Sequence, residues 1–168
     1  MKERNAPLRW GILGFGGFSD VAMAPAISGT AGHCLTAAWG RDPQRTQTYA
    51  RKYGDVRWAT SAEALLQSPD LDAVYVAVPN FQHAELTVRA AQRGLHVLCE
   101  KPMAMTLPEA ERMIHACEQA GVRLMIGNMM RFNPCHAWIR EFVAGGNLGE
   151  VTEAQAFFGY DLPAFFPL

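Results

Sequence analysis

Along this chain, short unbroken apolar runs alternate with stretches whose apolar residues recur every three or four positions. The runs are residues 9–13 (RWGIL), 34–39 (CLTAAW), 56–59 (VRWA), 73–78 (AVYVAV), 96–100 (HVLCE) and 123–129 (RLMIGNM). None alternates with period two, so each predicts a strand covered on both faces. The periodic stretches between them carry helix punctuation. Asp42-Pro43 reads as an N-cap with proline in the first turn, and Gly54 as the residue past that helix's end. Thr60-x-x-Glu63 and Thr106-x-x-Glu109 read as capping boxes. Behind the second, Ala110, Met113, Ile114 and Cys117 stand at i, i+3, i+4, i+7 and predict one buried face, closed by Gly121. Residues 83–93 predict a helix with Ala84, Val88 and Ala91 on one face and Gly94 beyond it, and Pro25 predicts a short or kinked first helix.

Strand and helix in alternation, joined by short connections, predict an α/β fold: a doubly wound parallel sheet over residues 1–125. Past residue 126 the pattern changes. MRFNP leads to a helix near residues 135–144, then to the turn-rich GGNLGE, then to a strand-like stretch at 151–160 with nothing visible to pair with. Residues 126–168 are therefore expected to begin an incomplete α+β second domain.

Composition narrows the partners. The 168 residues are 49% hydrophobic and 18% charged, which is a globular balance. With 15 basic against 16 acidic side chains and no basic block, neither nucleic acid nor a membrane surface is expected as a partner. No apolar run reaches the roughly 18 residues of a membrane span. Residues 1–10 are charged and lack the apolar core of a signal peptide, so a cytoplasmic location is expected. The widely spaced Cys34, Cys99, Cys117 and Cys135 are expected to be buried free thiols. The pairs His96/Cys99, His115/Cys117 and Cys135/His136 lack a full metal-ligand set, so no metal site is expected.

Two stretches carry chemistry. GILGFGGFSDVAMA holds Gly14-x-Gly16-x-x-Ser19 between the first strand and a helix. A glycine at the strand's end permits the tight turn, and a second lets the backbone approach a pyrophosphate that the helix amides favour. The third position is usually Gly or Ala; Ser19 is a small departure. At the end of the second strand, where a ribose-binding acid is expected, the chain has Gly40-Arg41. A guanidinium there pairs with a 2′-phosphate, so NADP is the expected coenzyme and NAD the alternative. The missing acid also argues against a methyltransferase.

The stretch VAVPNFQHAELTVRAAQRGLHVLCEKPMAMT resembles the Gfo/Idh/MocA oxidoreductases in Pro79-Asn80, His83 and Glu100-Lys101-Pro102. The glycine turn, GRDPQRTQTYARKYG and MRFNP fit the same family, so the resemblance covers nearly the whole chain. It implies a Rossmann domain followed by a domain built on a large, mainly antiparallel sheet. It also implies hydride transfer between a pyridine nucleotide and a sugar, polyol or related carbonyl substrate. By position, Gly14, Phe15, Gly16, Gly17, Phe18 and Ser19 would bind the pyrophosphate and Arg41 the adenosine end. Val78, Pro79, Asn80 and His83 would line the nicotinamide side with Glu100 and Pro102, the latter after a cis peptide bond. Lys101 would be the catalytic lysine, touching both coenzyme and substrate, with Glu100 holding it; Arg131 would contact substrate. Family members run to about twice this length and the full-length form is expected to be a homo-oligomer. The chain is therefore expected to be a truncated form with little activity alone. The competing expectation is a non-catalytic, redox-sensing NADP-binding module that docks a partner through its phenylalanine-rich end, Phe157, Phe158, Phe165 and Phe166.

Overall fold

A computed structural model describes residues 6–54, 56–157 and 159. The chain divides after Asn128 into two compact units. In the first, the strands are β1 (Leu8–Leu13), β2 (His33–Trp39), β3 (Arg57–Trp58), β4 (Ala73–Val76), β5 (His96–Cys99) and β6 (Leu124–Ile126). They form one sheet in the order β3-β2-β1-β4-β5-β6, and every described pairing is parallel. The helices are α1 (Ala24–Gly29), α2 (Pro43–Ala50), α3 (Ala62–Leu66), α4 (His83–Gln92) and α5 (Leu107–Gln119). The chain winds outward from β1 in one direction, returns beside it at β4, and winds outward in the other. This is the doubly wound Rossmann arrangement, with its reversal between β1 and β4.

Each central strand feeds both faces. Leu13, Val74, Val76, Val97 and Cys99 pack with Leu65, Leu86, Ala90 and Met113. Their neighbours Ile12, Leu35 and Tyr75 pack on the other face with Ala24, Ile27 and Ala50. Burying each large apolar side chain contributes about 1.5–3 kcal/mol, so the two-sided pattern that identified the strands also drives their assembly. The edges depart from it: both residues of β3 are exposed, and Met125 at the centre of β6 is half exposed.

The helix starts show which side chain wins each cap. The Asp42 carboxylate accepts from Arg45 N–H and Pro43 follows it, as the sequence predicts. For α3 the expected Thr60 box is displaced by one residue: the Ser61 hydroxyl accepts from Ala64 N–H, while Glu63 turns to Gln67, Arg89 and Arg93. Thr106 does cap α5, accepting from Glu109 N–H, but Glu109 reaches back to Met105 N–H rather than to the cap's own amide. On α5, Met113 and Cys117 are buried and Ile114 is 43% exposed, so the buried face is narrower than the spacing suggests. On α4, Val88 is half-buried beside the buried Ala84 and Ala91. The helix that holds Pro25 is short, six residues, as expected. Residues Ser19–Met23 form a wider turn in which Ala24 N–H reaches back five residues to Ser19 O, and Pro25, which has no N–H to give, follows directly at the start of α1.

In the second unit, Met129–Phe132 form a short turn and Asn133 caps α6 (Pro134–Ala144) through Cys135 N–H. Trp138 and Phe142 stack 4.9 Å apart. Residues 151–157 form no strand; a strand needs a hydrogen-bonding partner, and this run has none among the described residues. The rest of the expected strand lies outside the described residues, as do Phe158, Phe165 and Phe166; Phe157 is 97% exposed. Among the described residues no helix is long and apolar enough to cross a membrane, and no cluster of three or more His, Cys, Asp or Glu is placed to hold a metal.

All four cysteines are free, but only Cys99 and Cys117 are buried; Cys34 is partly covered and Cys135 exposed. Burial pushes the Cys99 thiol from its ordinary 9.0 up to about 12, and burial likewise raises the Tyr75 hydroxyl. As pH climbs from 9 toward 12, the unfolded chain releases protons that the native chain keeps. Stability therefore falls over that window. Urea midpoints measured at about pH 8 and about pH 10.5 are expected to drop; an unchanged or higher midpoint contradicts this assignment.

Candidate functional site

The carboxyl ends of β1, β4 and β5 open into a crevice whose floor is the glycine turn. Gly14 leaves β1 with φ +97°, and a Cβ there would stand 2.5 Å from the Ala77 carbonyl oxygen. Only glycine fits both conditions. The Gly14 and Phe15 amides both donate to Trp39 O, at 2.8 and 2.7 Å, which fixes the turn to the end of β2. The Ser19 hydroxyl donates to Gly14 O at 2.9 Å and is buried. Serine at the third position thus closes the loop from inside. Phe15 lies 2% exposed against Tyr49 and Tyr53, so of this residue only the backbone faces the crevice. Over Gly16 a Cβ would meet nothing within 4 Å, leaving open space above the turn. From Gly17 the chain is helical, and the first amides of a helix have no partner within it.

The crevice has two lobes that share Gly14, Gly16, Ala77 and Val78. The first is walled by Trp39, Gly40, Arg41, Asp42, Arg45 and Pro79. At Gly40 a Cβ would fall 2.5 Å from Thr46 Oγ1 and 2.9 Å from Phe15 O. A side chain at position 40 would therefore need Thr46 or the glycine turn to move. Arg45 was not anticipated from the sequence. It stands in the first turn of α2, four residues after Arg41, with Nη2 3.3 Å from where a Cβ on Gly17 would be. Its place in the first turn after the Asp42 cap was its one signal, and it is indistinguishable from an ordinary solvated helix residue.

The second lobe holds Gly17, Phe18, Ser19, Asn80, His83, Glu100 and Lys101. His83 opens α4 but is 1% exposed, not a surface residue. Its Nδ1 lies 2.8 Å from Pro102 O and its Nε2 2.9 Å from Val78 O. The ring is thus wedged between two backbone carbonyls and braces one loop against another through a ring N–H. Pro102 follows a cis peptide bond, as expected, and takes part through that carbonyl. Glu100 does not hold the Lys101 ammonium. One carboxylate oxygen accepts from the Tyr75 hydroxyl at 2.7 Å and the other from Lys101 N–H at 3.1 Å. Tyr75, buried at the centre of the sheet, was likewise unforeseen. Among the described residues Lys101 Nζ has no hydrogen-bond or ion-pair partner, and the side chain is exposed at the crevice. Arg131 belongs to the second unit, where it lines a cleft with Met130, His136 and Arg140.

The sequence model of a family described as "Oxidoreductase family, NAD-binding Rossmann fold" matches residues 8–128. The chain belongs to the Gfo/Idh/MocA oxidoreductases. It is 37% identical over 155 residues to a 1,5-anhydro-D-fructose reductase of Ensifer adhaerens, covering 92% of this chain and 46% of the relative. It is 39% identical over 156 residues to D-xylose 1-dehydrogenase (NADP(+)) 2 of Haloferax volcanii, covering 93% and 47%. A 3-ketoreductase from Actinomadura kijaniata, solved with NADP and TDP-benzene, superimposes with a TM-score of 0.78 at 31% identity, covering 83% of this chain and 43% of that one. The chain thus spans about half the length of the curated relatives it matches.

The Glu100 carboxylate accepts one bond on each oxygen, so removing the Tyr75 hydroxyl strips a charged acceptor of its buried donor. Tyr75→Phe is expected to lower stability by about 1–3 kcal/mol in urea denaturation. A change below about 0.5 kcal/mol would mean that Glu100 finds another donor and the bridge is dispensable.

Proposed function

We propose that this chain binds NADP across the glycine turn and presents Lys101 to a sugar, polyol or related carbonyl substrate of a hydride-transfer oxidoreductase. The observation that carries the reading is the polarity of the crevice. One lobe ends in two guanidinium groups, Arg41 and Arg45, and the other in the lone ammonium of Lys101, with a glycine-only turn between them. The residues fit a dinucleotide bearing a 2′-phosphate. The turn leaves open space where a side chain at Gly16 would intrude, the helix amides favour a pyrophosphate, and the carboxylate lining the first lobe, Asp42, is engaged in capping α2 through Arg45 N–H. NAD is the weaker ligand on this reading.

When bound, the nicotinamide supplies the hydride chemistry. The rest is done by the chain. Arg41 and Arg45 form charge-assisted hydrogen bonds to the 2′-phosphate. Val78, Pro79 and Asn80 form the wall of the nicotinamide side, and His83 keeps that wall braced to the Lys101 loop. Lys101 Nζ donates a hydrogen bond to the substrate oxygen whose carbon exchanges hydride, and so stabilises the negative charge that develops there. Glu100 fixes the backbone from which Lys101 projects. Arg131 is proposed to contact substrate. The named activities of the relatives, on 1,5-anhydro-D-fructose and D-xylose, support sugar-type substrates as the class.

Titration by nucleotide fluorescence is expected to show NADPH binding about 10- to 100-fold more tightly than NADH, the range of one or two charge-assisted bonds. Arg41→Ala should remove about tenfold of that preference. Lys101→Ala should, in the whole protein, slow turnover at least about a hundredfold. Equal affinity for the two coenzymes, or an Arg41→Ala chain that loses none, would sink the NADP assignment.

A further inference from the structure

We propose, resting on the NADP reading above, that Tyr49 is a positioning residue for coenzyme discrimination: its hydroxyl holds the Arg45 guanidinium with its fork turned outward before any phosphate arrives. Arg45 Nε donates to the Tyr49 hydroxyl at 2.7 Å, one helical turn away on α2. The guanidinium carbon stands 5.3 Å from the Tyr49 ring centroid. With Nε committed to the helix side, the two terminal nitrogens remain free to meet the planar array of a phosphate's oxygens. Arg41, by contrast, makes no side-chain hydrogen bond among the described residues.

Tyr49 is itself fixed from the glycine turn. Phe15, the second residue of that turn, meets its ring edge-on at 5.7 Å. The Lys52 ammonium lies 4.6 Å from the ring centroid. Lys52 is anchored in turn by the Asp20 carboxylate, which is 8% exposed on the helical turn leaving the glycines and also accepts from the Tyr53 hydroxyl at 3.2 Å. The ring is therefore clamped by two residues whose positions are set by the loop that receives the pyrophosphate. The arginine inherits that placement through one hydrogen bond. An arginine already immobilised loses less freedom on binding, and the gain is confined to ligands that carry a group for it to meet.

The test is a titration of the purified chain with NADPH, NADH and 2′,5′-ADP, for wild type, Tyr49→Phe, Arg45→Ala and the double variant. Tyr49→Phe keeps the ring on Phe15 and removes only the acceptor. It is expected to weaken NADPH and 2′,5′-ADP by about three- to tenfold, to leave NADH within about twofold, and to add nothing in the Arg45→Ala background. A Tyr49→Phe chain that keeps the full NADPH preference overturns the proposal. So does a loss that falls equally on NADH, or one that persists without Arg45. If Tyr49→Phe does not fold, Arg45→Lys decides: it keeps the charge and loses the fork, so a comparable fall supports the proposal and unchanged NADPH affinity refutes it. A wild-type chain with no NADPH preference refutes the NADP reading itself, a result distinct from a preference that survives Tyr49→Phe.

Discussion

The whole arrangement depends on how closely two backbones meet where β1 and β4 end. Gly14 passes so near the Ala77 carbonyl that no side chain fits between them, and its φ of +97° is one that other residues rarely adopt. That contact lies where the winding of the sheet reverses, where the helices on either side diverge and leave the strand tips uncovered. A bulkier residue would lift the turn off β4 and fill the gap that the two lobes share. The shape of the crevice floor is thus a consequence of one steric constraint. The two buried faces of the sheet hold the strands close enough to impose it.

Around this floor, polar groups mostly position other groups. His83 wedges its ring between two carbonyls, Glu100 spends both oxygens on donors, and Ser19 spends its hydroxyl on Gly14 O. Among the described residues, those left unspent at the crevice include the Arg41 side chain, the outer nitrogens of Arg45, the Asn80 amide and the Lys101 ammonium, beside the turn's open space. Buried polar groups that are fully used make rigid walls, and rigid walls let a few free groups act from fixed places.

The central strands were legible because parallel strands covered on both faces read as unbroken apolar runs. Residues 73–76 are completely buried and were the clearest run. Capping at Asp42 and Thr106 was legible for the same kind of reason, since the signal is local. Where two local signals compete, the sequence alone does not choose. Thr60 and Ser61 are both able caps, and Ser61 prevails while Glu63 is drawn to α4 by Arg89 and Arg93. The run at 151–157 has the composition of a strand, but pairing is not a property of the run itself. At the site, Gly14, Arg41 and Lys101 could be found from their places at strand ends. Arg45, Tyr75 and the bracing role of His83 could not, because each depends on a partner 4 to 25 residues away that only the folded chain brings within reach.

Thr46 gives this chain an unexpected resistance to redesign. Its hydroxyl donates to Asp42 O and crowds the space beside Gly40, and the Phe15 carbonyl closes that space from the other side. An engineer seeking to convert the adenosine pocket by grafting an aspartate at position 40 meets a wall made partly of main chain. Trimming Thr46 removes half of the obstacle; the other half is the glycine turn itself. On the proposed reading, coenzyme choice is written in the path of the polypeptide as much as in its arginines, and swapping side chains alone leaves that path unchanged.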